Sequence, residues 1–135
     1  MRPAPRVLST AVSLSTRRPT NKIAALGVPA ALIEAHTAVS REVAEAMARG
    51  GIARCPADIA VAITGVAGPE PDEDANPAGL VHVAAACRDA ACRDHVERNF
   101  GQRSREENRY LSLDTALGLI EAVVRAASPK ARGWT

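Results

Sequence analysis

The hexapeptide Thr64-Gly65-Val66-Ala67-Gly68-Pro69 is where this sequence most clearly offers chemistry. It follows a run of apolar, β-branched residues, so it stands where a buried strand opens at its carboxyl end, the edge at which α/β sheets bind ligands. Two glycines let the backbone approach a ligand closely, and successive N–H groups in such a turn can face a phosphate or a carboxylate. A tight turn that needs two glycines for geometry alone would read the same way. The hexapeptide is not a Walker-type phosphate loop, because no Gly-Lys-Ser/Thr follows, and it is not a dinucleotide fingerprint.

Other reactive side chains are scattered. Glu70, Asp72, Glu73 and Asp74 lie among prolines and read as a solvated loop rather than a cation site, so neither a metal nor a cofactor is expected. His82 falls within a strand and His95 begins another, places that suit packing or solvent better than ligation. His36 closes a short helix, where a cation suits the dipole. Arg103, Arg105 and Arg109 lead into a helix; they either face water or meet a nucleotide phosphate. Cys55, Cys87 and Cys92 form neither a CxxC pair nor an even framework, so no disulfide scaffold is expected and a reducing, cytoplasmic compartment fits.

The elements that must position these groups follow from the patterning. Pro29 suits the first turn of a short helix through Ala31, Leu32 and Ile33 to about Ala35. Ser40 is a good N-cap for a second helix, with Glu42 in its first turn and Val39, Val43, Met47 and Gly50 on one face. Gly50-Gly51 weakens or ends that helix. Ile59 to Thr64 is a continuous apolar run of strand length, predicted to be a central strand buried on both faces. Gly79 to Ala86 reads as a second buried strand and His95 to Phe100 as a third, joined by a hairpin connection around residues 88–91. Leu113, Leu117, Ile120 and Val124 keep helical spacing to about Ala127, where Ser128-Pro129 stops the pattern. The order helix, helix, strand, strand, strand, helix predicts an α/β fold: a three-layer α/β/α domain with a mixed, mainly buried sheet flanked by helices.

Composition narrows the class. The chain has 135 residues, of which 47% are hydrophobic, yet Phe100, Tyr110 and Trp134 are its only aromatic residues. Ala, Val, Leu and Ile must build the core, and the aromatic faces on which a sequence-tolerant nucleic-acid binder stacks bases are missing. A net charge of +2 gives no reason to expect a polyanionic partner. The first acidic residue is Glu34, preceded by Arg2, Arg6, Arg17, Arg18 and Lys22 among serines and threonines, as in a presequence. Pro3, Pro5 and Pro19 make that stretch a poor amphipathic helix, and it lacks the apolar run of a membrane span.

Four blocks carry a resemblance when taken together: 22–29 (KIAALGVP), 36–40 (HTAVS), 57–69 (ADIAVAITGVAGP) and 76–82 (NPAGLVH). In order and spacing they resemble the CinA C-terminal domain family, which includes nicotinamide-nucleotide amidohydrolases. Phe100-Gly101-Gln102-Arg103, with Arg105 and Arg109 beyond, is loosely similar to that family's Phe-x-Gly-Asp-Arg stretch. The resemblance runs from about Lys22 to Val124.

The resemblance implies hydrolysis of the carboxamide of nicotinamide mononucleotide to the acid plus ammonia, without a metal. It also implies a serine on a Glu-Ser-Cys-Thr-Gly-Gly turn as nucleophile, with a tyrosine and a lysine to activate it. A serine hydroxyl is a weak nucleophile until a base takes its proton, and a lysine of lowered pKa can do so. Lys22 matches the family lysine and would be that base; a surface lysine on the approach to a helix is the other reading. Arg17 stands where the tyrosine is expected. No Ser-Cys-Thr-Gly-Gly turn occurs in the sequence, and Ser9, Ser13 and Ser15 are the hydroxyls on hand near Lys22; a catalytically inactive nucleotide-binding module, or a non-functional truncated fragment, is the alternative reading. Thr64, Gly65, Val66, Ala67, Gly68 and Pro69 become the expected substrate-binding residues, the partner a small-molecule pyridine nucleotide, and a homodimer is compatible. Residues 1–21 read as a degenerate or truncated lead-in, 22–127 as the domain and 128–135 as a tail.

Overall fold

The computed structural model describes residues 27–54, 56–72, 74–88 and 93–127. Helix α1 (Ala30–His36) starts after Pro29, which sits at the N-cap with extended geometry, one residue earlier than expected. It ends at Thr37, whose φ of 70° is uncommon for a β-branched residue and whose N–H donates to the Ile33 carbonyl at 2.8 Å. Helix α2 (Arg41–Arg54) is capped as predicted, with Ser40 Oγ accepting the Val43 N–H at 3.3 Å. Gly50-Gly51 does not end it. A Cβ at position 51 would stand 3.4 Å from the Ala60 methyl, so the missing side chain lets the helix lie close on the first strand.

Strands β1 (Ile59–Gly65), β2 (Leu80–Cys87) and β3 (Arg93–Asn99) form a sheet in the order β1-β2-β3. The α/β class stands, and within it every pairing among the described strands is antiparallel. Ile59 faces Cys87 and Gly65 faces Val81 across β1 and β2, while Leu80 faces Asn99 and Ala86 faces Arg93 across β2 and β3. The central strand buried on both faces is β2, not β1. Among the described residues β1 lies at the sheet edge, and Ile63 is 36% exposed.

Alternation along β2 sends its residues to two cores. Ala84 and Ala86 pack with Ala62 against Val43, Ala44, Met47 and Ala48 of α2. Val81, Val83 and Ala85 pack with Ile59 against Ala116, Leu119 and Val123 of helix α3 (Arg105–Ala127). Helices on both faces of the sheet give the expected three layers.

Two details depart from the sequence reading. The stripe of α3 that meets the sheet is Ala116, Leu119 and Val123, whereas Leu113 and Leu117 are 55% and 57% exposed. The two apolar stripes lie roughly 100° apart around the helix, so periodicity alone selects either. Cys87 is disulfide-bonded, correcting the expectation drawn from the odd cysteine count. Among the described residues no helix is long and apolar enough to cross a membrane.

Candidate functional site

The loop after β1 is stitched into the fold from three sides. Thr64, the last side chain of β1 before the glycine, is 3% exposed and donates its hydroxyl to the Ala38 carbonyl at 2.7 Å. This ties the strand end to the turn between α1 and α2. That turn is closed in its own right, with Ser40 Oγ donating to the Thr37 carbonyl at 3.0 Å and Thr37 Oγ1 to the Val39 carbonyl at 3.2 Å. Asn76 Nδ2 reaches across from the far side of the loop to Thr37 Oγ1 at 3.1 Å.

Gly65 has no room for a side chain, since a Cβ would stand 2.9 Å from Val81 Cγ2 and 3.0 Å from the Leu80 carbonyl oxygen. The Val66 N–H then donates to the Leu80 carbonyl at 2.9 Å and the Gly79 N–H to the Val66 carbonyl at 2.8 Å, which prolongs the pairing past the strand. Val66 turns its side chain inward onto Val39 and Ala78. Of the six expected binding residues, Thr64 and Val66 are therefore buried framework, while Gly65 and Pro69 are exposed and Ala67 and Gly68 half-buried.

What the loop offers outward is backbone. The N–H groups of Ala67 and Gly68 take no partner among the described residues. Gly68 has φ of 85°, a region open to glycine, and the Gly68–Pro69 peptide is cis. The Ala67 carbonyl is held by Asn108 Nδ2 of α3 at 2.8 Å.

The acidic segment behind the loop is organised around Asp72. Its Oδ1 accepts the N–H groups of Asp74 at 3.0 Å and Asn76 at 2.8 Å, and its Oδ2 accepts Asn76 Nδ2 at 2.8 Å. Asp72 thus sets Asn76, and Asn76 sets Thr37. No group of three side chains able to hold a metal ion occurs among the described residues.

On the far side, Gly79 (φ 90°) crosses the backbone of Gly101, and the Phe100 N–H donates to the Gly79 carbonyl at 2.9 Å. Arg103 donates Nε to the Phe100 carbonyl at 3.0 Å and pairs with Glu107 at 3.7 Å. Arg103, Arg105 and Arg109 are all exposed. A shallow depression at the start of α3 is lined by Arg103, Glu106, Glu107, Tyr110 and Leu111, none of them from the loop. Lys22, Arg17 and the serines at 9, 13 and 15 lie outside the described residues.

The family model for the CinA C-terminal domain matches residues 11–124. The chain belongs to the CinA C-terminal domain family. A CinA-like protein from Synechococcus sp. (strain RCC307) is 46% identical over 96 residues, 70% of this chain and 22% of that protein. One from Mycobacterium sp. (strain JLS) is 46% identical over 104 residues, 77% of this chain and 24% of that protein. The chain thus spans under a quarter of the length of these relatives. Among solved structures, the competence/damage inducible protein CihA from Agrobacterium tumefaciens superposes with a TM-score of 0.74 at 37% identity, over 79% of this chain and 64% of that one. A CinA superfamily protein from Escherichia coli gives 0.72 at 33% identity, over 78% and 60%.

Within this CinA-type frame, three positions that hold the loop escaped the sequence reading. Asn108 sits inside the charged run 105–109, where it reads as one more solvated residue, although it lies about three helical turns before the buried Leu119 and so shares its face. Thr37 and Asp72 act through turn geometry that no spacing rule exposes.

Proposed function

We propose that this domain binds a pyridine nucleotide at the Thr64–Pro69 loop and hydrolyses its carboxamide to the carboxylic acid and ammonia, as in nicotinamide mononucleotide deamidation. The observation that carries the reading is the pair of adjacent, unpartnered N–H groups at Ala67 and Gly68, held at the open end of a strand. When a nucleophile adds to a carboxamide carbon, negative charge gathers on its oxygen, and preorganised N–H donors stabilise that charge. Collapse breaks the C–N bond, the nitrogen leaves as ammonia after taking a proton, and water supplies the hydroxyl of the acid.

Family membership supports this reaction, and Lys22 is the residue of this chain matching the family's base. A lysine amine that takes a hydroxyl proton makes the oxygen nucleophilic. In the absence of the Ser-Cys-Thr-Gly-Gly turn, Ser13 or Ser15 supplies that hydroxyl. The test is ammonia release from nicotinamide mononucleotide by the purified chain and by Lys22→Ala. Release by the parent and loss in the variant are expected. Thermal stabilisation by the nucleotide with no ammonia from the parent would overturn the hydrolytic half of the reading.

A further inference from the structure

We propose that Asn108 is the positioning residue of the ligand-facing loop, a latch that fixes the plane of the Ala67–Gly68 peptide and with it the direction of the Gly68 N–H. The ligand half of this inference rests on the function proposed above; the latch itself does not.

The argument starts from the peptide plane. In a trans peptide the carbonyl of one residue and the N–H of the next lie in one plane and point in opposite directions. Holding the Ala67 carbonyl therefore aims the Gly68 N–H. Nothing local does this job, because rotating that plane changes ψ of residue 67 and φ of residue 68, and glycine tolerates φ of either sign. The structure has Gly68 at φ 85°, with Ala67 bound through its carbonyl to Asn108 Nδ2 at 2.8 Å, a contact 41 residues away in sequence. A flipped plane would turn the carbonyl outward and withdraw the N–H.

Asn108 itself supports the assignment. It is 1% exposed, and its Oδ1 is buried without a hydrogen-bond partner among the described residues. The amide orientation is unambiguous, since a carbonyl opposite it requires the N–H2 end. A buried acceptor left unmet is unfavourable, and a leucine of nearly the same shape would avoid it. Packing alone therefore does not call for asparagine; the hold on Ala67 does. Gly68 is near enough that a Cβ there would lie 3.7 Å from Asn108 Nδ2, so the latch bears directly on the residue whose N–H it aims.

The experiment uses the full chain, with Asn108→Leu and, as a smaller replacement that cannot overfill the site, Asn108→Ala. Two-dimensional amide NMR reads the loop, thermal unfolding reads global stability, and nicotinamide mononucleotide is titrated into each protein. The expected result is a shifted and exchange-broadened Gly68 amide, with neighbouring changes confined to residues 65–69, while strand amides of β2 keep their positions and Asn108→Leu melts close to the parent. Nucleotide affinity falls roughly tenfold, the factor one neutral hydrogen bond is worth.

An unmoved Gly68 amide in both variants would overturn the latch whatever the ligand does. A disturbed loop with unchanged nucleotide affinity would overturn its role in binding. A disturbed loop in the variants, with no nucleotide response even in the parent, supports the latch and sinks the pyridine-nucleotide reading instead.

Discussion

His82 Nδ1 and His95 Nε2 lie 3.0 Å apart across the β2–β3 pair, with their rings stacked at a centroid separation of 5.2 Å. One proton can sit between the two nitrogens; two cannot. His82 is 8% exposed, and its other nitrogen lies 3.7 Å from Glu97 Oε1. The pair faces α2, from which Arg41 and Glu45 act on it. Burial pushes the His95 pKa below the usual imidazole value of 6.5, helped by His82 and Arg41 and opposed by Glu45 and Glu97.

The sign of the resulting pH dependence follows. A base whose pKa is lowered by folding binds fewer protons folded than unfolded, so its contribution is whole above pH of about 6.5 and is lost as pH falls toward the folded value. Thermal melts between pH 8 and 5 should show stability declining below about pH 6.5. His95→Gln should flatten that decline. A variant that tracks the parent across the whole range would assign the acid sensitivity elsewhere.

Gly79 and Gly101 make a paired test of close approach. Both have positive φ, 90° and 76°, but a Cβ at 79 would collide with the Gly101 backbone, whereas one at 101 meets nothing within 4 Å among the described residues. Gly101→Ala should cost about 1–2 kcal/mol, the price of a left-handed alanine. Gly79→Ala should cost clearly more, because two backbones must separate. Chemical denaturation measures both, and equal losses would show that the crossing yields without strain.

The stripes of α3 predict another contrast. Leu119 is 5% exposed in the core beneath the sheet, and Leu117 is 57% exposed. Leu119→Ala should destabilise by about 2–5 kcal/mol and Leu117→Ala by no more than about 0.5 kcal/mol. Reversed values would mean that the outward stripe is covered.

These residues also show how far the sequence could be read. The run Ile59 to Thr64 ends within one residue of the observed strand, and Ser40 caps the helix it was expected to cap, because both signals are local. Side-chain direction within a helix apolar on two sides is not local. Ala116, the smallest of the core-facing residues, carries little hydrophobic weight in a pattern dominated by Leu113 and Leu117. The loop was legible as a place but not in its parts: Val66 belongs to a small core with Val39 and Ala78, and the donors that remain are main-chain groups, which no residue type reveals. Asn108 was hidden by its charged neighbours, and only the fold brings it to Ala67.

The bond from Thr64 to Ala38 allows the frame of the loop to be tested apart from its ligand. Thr64→Val keeps the shape and removes the hydroxyl that donates at 2.7 Å from a nearly buried position. A buried hydrogen bond lost in this way costs about 1–3 kcal/mol. Thr64→Ser keeps the hydroxyl and removes a methyl, so it should retain more of the stability if the bond to Ala38 is what matters. Denaturation curves of the three proteins decide this, and a serine variant weaker than the valine one would place the role of Thr64 in its methyl packing. If the loop binds nucleotide as proposed, the serine variant should also keep the thermal shift produced by nicotinamide mononucleotide while the valine variant loses most of it, because the strand end that carries the Ala67 and Gly68 donors is no longer tied to the α1–α2 turn.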